Sequence, residues 1–136
     1  MTYSECQFVV ETKNNHLSNV ELIGYMDEAR SVWYEFCIST GVEAVVVHLS
    51  TDFKKELFDQ DQLNIRTQIS RVGNTSFTLE QSVVDVHQQL VSKSEVVLTT
   101  IDIQTRQKVR VPDQVRELLQ KDGTLPMKKV DTTYCS

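Results

Sequence analysis

The chain has 136 residues, of which 40% are hydrophobic and 24% charged. That is the size of one domain, with a balance that excludes wholesale disorder. A net charge of -5 excludes nucleic acid as the main partner, because nucleic-acid binders carry a basic stripe; an anionic ligand held by a few local cations stays open.

Residues 5–12 read as a first strand, and Lys13 to His16 as a loop. From Asn19 to Ser39, Leu22, Ile23, Tyr25, Met26, Ala29, Trp33, Phe36 and Cys37 recur at helical spacing. This predicts one long helix, with Ser18 or Asn19 as N-cap and Thr40-Gly41 as its stop. After Gly41 the period changes to two. Val42–Phe53, Leu63–Val72, Ser76–His87 and Val96–Ile103 predict four strands, the middle pair joined by a turn at Gly73-Asn74. Pro112 opens a short helix ending near Gln120. The expected organisation is one domain over 1–121 and a polar, loosely held tail over 122–136.

The other bounds are brief. The start, Met1-Thr2-Tyr3-Ser4-Glu5, lacks the basic residues and apolar run of a signal peptide, and no apolar run is long enough to span a bilayer. Cys6, Cys37 and Cys135 have neither zinc-like spacing nor a disulfide framework. A cytoplasmic chain with no membrane partner and no metal site is expected.

Five stretches carry a family resemblance. His16-Leu17-Ser18-Asn19-Val20-Glu21 followed by Tyr25-Met26-Asp27-Glu28-Ala29-Arg30 resembles the opening motif of the 4-hydroxybenzoyl-CoA thioesterase-like hot-dog family. Leu49 to Phe53, Asp61 before Leu63, Val72-Gly73-Asn74-Thr75-Ser76-Phe77, and Thr99 to Arg106 followed by Pro112 continue it in order. The resemblance implies an α+β hot-dog fold, a five-stranded antiparallel sheet wrapped around one long central helix with a short C-terminal helix. It also implies a homodimer, or a tetramer as a dimer of dimers. The implied reaction is hydrolysis of an acyl-CoA thioester, with coenzyme A entering as part of the substrate and no separate cofactor.

The resemblance places the thioester carbonyl at the N-terminus of the central helix, where unsatisfied amides and the helix dipole stabilise developing negative charge. Asn19 is the candidate donor and His16 a candidate to orient water or carbonyl. The family has Asp four residues before this His; here Thr12 stands there, and Asn15 replaces the family Gly. A threonine hydroxyl is not an unaided base near neutral pH. Glu11 is therefore the substitute carboxylate, and Thr12 a water-positioning hydroxyl. Asn15, Ser18, Asp52, Lys54 and Arg71 are candidate substrate contacts, with Lys55, Arg66, Arg106 and Lys108 as further cations for coenzyme A phosphates. Glu28 and Arg30 are expected to form an ion pair holding the helix on the sheet. Two rival readings follow: an acyl-CoA-binding relative with lost or weak catalysis, favoured by Thr12, and a dehydratase, for which no acid–base pair is apparent.

Overall fold

A computed structural model describes residues 1–126 and 133–135. In chain order the elements are β1 (Thr2–Val9), α1 (Asn19–Ala29), α2 (Ser31–Ser39), β2 (Val42–Phe53), β3 (Gln62–Val72), β4 (Ser76–Val84), β5 (Leu90–Asp102), α3 (Asp113–Gln120), β6 (Gly123–Thr124) and β7 (Thr133–Cys135). The long strands pair antiparallel in the order β2-β5-β4-β3-β1. α1 lies against β1 and β3, and α2 against β2. This is the expected hot-dog arrangement, with several corrections.

The central helix is two helices. At Arg30 the backbone tightens, its N–H bonding the Asp27 carbonyl at 3.0 Å, and the helix restarts at Ser31. α2 ends at Thr40, where Gly41 takes the left-handed φ of +96° that a glycine allows without strain. The sheet is mixed and larger than five strands. β6 pairs parallel with β1 at Thr2 and Tyr3, and β7 pairs antiparallel with it at Cys6 to Phe8. The segment read as a loose tail thus edges the sheet, tied also by an ion pair from the Met1 amino group to Asp122 at 2.7 Å; its residues 127–132 and 136 lie outside the described residues. Cys6, read as unpaired, is disulfide-bonded. The β1–β7 ladder sets Cys135 opposite it, a proximity that sequence spacing does not reveal. Cys37 is a free thiol whose burial pushes its pKa up to about 12. Among the described residues no helix is long and apolar enough to cross a membrane.

The core is divided. One apolar cluster joins Cys6, Phe8 and Val10 of the β1 side to Leu17, Leu22, Met26, Leu57, Leu63, Ile65, Val83 and Val91. The other joins Trp33 and Cys37 to Val42, Ile69, Phe77, Leu79, Val96, Leu98, Val115 and Leu118. Between them a polar row crosses the helix-facing side of the sheet. Ser4, Thr67, Gln81, Ser94 and Thr51 are successive cross-strand neighbours from β1 to β2, and all but the half-buried Thr51 are shielded from solvent.

Each member of the row is satisfied. Trp33 Nε1 donates to Ser4 Oγ at 3.0 Å. Gln81 Nε2 donates to Thr67 Oγ1 at 3.1 Å and to the Met26 carbonyl at 2.9 Å. Thr51 and Ser94 share a hydroxyl bond of 2.7 Å. Arg30, 3% exposed, reaches in at the helix break and donates Nη1 to Gln81 Oε1 at 2.7 Å. Its Nε donates to Tyr34 Oη at 2.8 Å. Its carboxylate partner is Asp27 at 3.1 Å rather than Glu28. Residues two apart on a helix face away from each other, whereas residues three apart are neighbours.

Candidate active site at the N-terminus of α1

Strand β1 ends at Val9, and the loop to α1 is folded around one carboxylate. Glu21 Oε1 accepts from Thr12 Oγ1 at 3.1 Å, Asn14 Nδ2 at 3.0 Å and the Ser18 amide at 3.0 Å. The Glu21 amide in turn donates to Ser18 Oγ at 3.0 Å, completing a capping box. The Ser18 backbone bond, followed by the Asn14 and Thr12 side chains, lowers the Glu21 pKa to about 2. Thr12 is anchored twice more: its amide donates to Asp59 Oδ1 at 2.9 Å and its hydroxyl accepts from the Asn14 amide at 3.1 Å.

With Ser18 as cap, the Glu21 amide is used locally and the Leu22 amide bonds the Ser18 carbonyl at 3.0 Å. Among the described residues, the Asn19 and Val20 amides have no acceptor, as expected of a first helical turn. Asn19 stands at a pocket of about 380 Å³ lined also by His16, Leu17, Leu22, Phe53 and Lys54 to Leu57. Its floor is apolar, since Leu17, Leu22 and Leu57 are each 5% exposed or less. In its neutral tautomer the His16 ring donates Nδ1–H to the Leu17 carbonyl at 3.0 Å, because a carbonyl only accepts. That leaves Nε2 with its lone pair.

The far wall is a loop pinned on both sides. Leu57 O accepts from the Leu17 amide at 2.8 Å, and the Lys54 amide donates to Val91 O at 2.8 Å. The Lys55 ammonium bonds the buried Asp85 carboxylate, which also accepts from the His87 and Gln89 amides at 2.9 Å each. The Lys55 bond, then the Gln89 amide, lowers the Asp85 pKa to about 2. Lys55 is thereby neutralised, while Lys54 is exposed and has no ion-pair partner among the described residues. A larger cavity of about 520 Å³ lies by the β4–β5 turn, lined by Gln7, Val9, Gln62, Asn64, Asp85 and Gln88 among others. It offers amides but neither a cation nor a helix terminus.

A family model described as the thioesterase-like superfamily matches residues 10–119. The chain belongs to the thioesterase-like superfamily. Membership makes thioester hydrolysis its reaction class. Among solved structures this thioesterase-like chain is similar to a DHNA-CoA thioesterase from Staphylococcus aureus, at 16% identity and TM-score 0.74, covering 88% of this chain and 90% of that one. It is similar to a 1,4-dihydroxy-2-naphthoyl-CoA thioesterase from Synechocystis at 17% identity and TM-score 0.74, covering 88% and 96%. A 4-hydroxybenzoyl CoA thioesterase variant complexed with 4-hydroxybenzoyl CoA matches at 18% identity and TM-score 0.73, covering 85% and 98%. At these identities the likeness is one of fold. Among curated proteins none matches.

The candidates read from the sequence fall into three groups in this thioesterase-like chain. His16, Asn19 and Lys54 line the pocket, and Ser18 caps the helix beside it. Thr12 is drawn toward Glu21; Glu11 and Asn15 are exposed on the loop, and neither is among the residues lining the pocket. Asp52 alternates to the opposite face of β2 from Phe53. Arg71 stands at the other end of β3, 4.0 Å from Glu95. Of the remaining cations, Arg66 pairs with Glu5 and covers the Tyr3 ring, and Arg106 pairs with Glu43. Glu21 and Asp85 are the organising groups that sequence reasoning missed. The spacing Ser18-x-x-Glu21 is a capping-box signal that could have found the first; no local signal points to the second.

Both carboxylates sit below their ordinary values of 4.5 and 3.8. Groups with lowered folded pKa values add stability that is fully present above the unfolded pKa and lost as pH falls toward the folded one. Stability should therefore decline between about pH 4.5 and pH 2, measured by urea unfolding across that range. Glu21→Gln and Asp85→Asn should each flatten the decline, and an unchanged slope in both would assign acid sensitivity to other groups.

Proposed function

We propose that the chain hydrolyses an acyl-CoA thioester to the free acid and coenzyme A, with the thioester carbonyl oxygen against the Asn19 and Val20 amides. The observation that carries this reading is the unpartnered Asn19 amide at a pocket that His16 also lines. Water attacks the carbonyl carbon and gives its proton to His16 Nε2, while the amides stabilise the oxyanion. The tetrahedral intermediate then expels the thiolate, which takes the proton back from His16. This moves the base from Glu11 to His16 and leaves Thr12 without its water-positioning role. The Thr12 hydroxyl is engaged by Glu21, and a carboxyl held near pKa 2 is a weak base. Lys54 serves as the coenzyme A phosphate contact.

A homodimer completes the proposal. β2 is an edge strand of 12 residues carrying Val46, Val47, Leu49 and Phe53 at 38–57% exposure. A long apolar edge of this kind invites pairing with a second copy. A tetramer would stack two such dimers.

The second reading, a thioester-binding relative without efficient hydrolysis, is favoured by Thr12 and its bond to Glu21. Thiol release from short, long, aromatic and charged acyl-CoA esters separates the two. Saturable release is expected, with His16→Ala lowering kcat by about 10²–10⁴-fold. Tight binding without release supports the second reading, and absence of both removes both.

A further inference from the structure

We propose that the polar row crossing the sheet is the end stop of the acyl compartment, so that the site takes short acyl groups and gains nothing from longer ones. The inference rests on the acyl-CoA reading above. From the Asn19 amide, the same face of α1 presents Leu22 and then Met26, both buried. Across from them, the helix-facing side of β2 presents Phe53 and then Thr51. An acyl group seated at Asn19 therefore runs between Leu22 and Phe53 and meets Met26, Ser94 and Thr51.

These three residues form one barrier. Ser94 Oγ bonds Thr51 Oγ1 at 2.7 Å and lies 3.9 Å from Met26 Sδ. Behind Met26, its own carbonyl is held by Gln81, which is held by Arg30. The hydroxyls of the wall are bonded to each other, and a methylene laid on that pair gains no apolar contact. Measured along the backbone, the wall stands about 10 Å from Asn19 at Met26, or about 7 Å from Phe53 at Thr51. Beyond the stop the inner side of β2 turns apolar again at Leu49 and Val46. The hydroxyl pair is thus a single polar step in an otherwise apolar strip.

The test is kcat/KM for acetyl-, butanoyl-, hexanoyl-, dodecanoyl- and palmitoyl-CoA, with Kd for the matching thioether analogues, which cannot be hydrolysed. Both quantities should improve from acetyl to hexanoyl and then stop improving. Thr51→Val, close in shape and half-buried, removes the hydroxyl of the pair on the β2 side. It should raise the dodecanoyl-to-butanoyl ratio about tenfold, the scale of one or two extra methylene contacts. Continued improvement from hexanoyl to palmitoyl in the unaltered protein overturns the inference, as does an unmoved ratio in Thr51→Val. If nothing is hydrolysed but the analogues show the same break in Kd, hydrolysis fails and the end stop stands. Analogue binding without length dependence, or no binding at all, removes the end stop.

Discussion

Replacing Asn19 by proline should lower kcat/KM for the best thioester substrate by about 10²–10³-fold, the cost of removing one oxyanion donor, with the fold preserved. Asn19 is the first residue of α1, the helical position that tolerates proline best, because its amide has no intrahelical acceptor to lose. The residue before a proline must be extended, and Ser18 already is, with ψ at 159°. The substitution thus deletes one donor and little else. Asn19→Ala is the matched control: it alters the same side chain, keeps the amide, and should retain activity. Kinetics beside a thermal melt decide the matter. A proline variant that is folded and fully active would move the carbonyl away from this helix.

The largest effect on stability is expected from Gln81→Leu, at about 2–4 kcal/mol. The volumes are similar, so the cost is not a cavity. It arises because Gln81 is fully buried and serves three partners: it accepts from Arg30 and donates to both Thr67 and the Met26 carbonyl. Leucine leaves a guanidinium N–H and a helix carbonyl buried without partners, and bonds to charged groups are the costly ones to lose. Urea unfolding measures it. Adding Arg30→Met to Gln81→Leu should recover part of the loss, because both ends of the unsatisfied pair are then apolar. A loss below about 1 kcal/mol for the single variant would mean that water replaces the amide.

The pattern of what was legible follows from this same row. β2 reads from its β-branched residues, and its limits of Val42 and Phe53 coincide with the observed strand. The β3–β4 hairpin is marked by alternation around Gly73-Asn74. The first half of β5 is not legible, because after Val91 its core-facing positions are Ser92 and Ser94. Periodicity arguments look for apolar residues there and find hydroxyls. The helix break is hidden for a similar reason. Apolar spacing continues across Arg30 from Met26 and Ala29 to Trp33, and only the sheet's Gln81 shows why a cation turns inward. At the site, His16 and Asn19 were legible as a motif. The Glu21 bonds to Thr12 and Asn14 and the Lys55–Asp85 clasp depend on loops meeting in space. β6 and β7 have too few residues to show a period at all.

The polar row also has a consequence for how such a protein changes over generations. It works as a bulkhead. On one side lie Leu17, Leu22 and Leu57, which shape the pocket; on the other lie Trp33, Phe77, Leu98 and α3, which carry much of the burial. With a hydrogen-bonded wall between them, a size change on the pocket side need not propagate into the second compartment. Selection can then resize the cargo space of this fold without renegotiating the part that holds it upright.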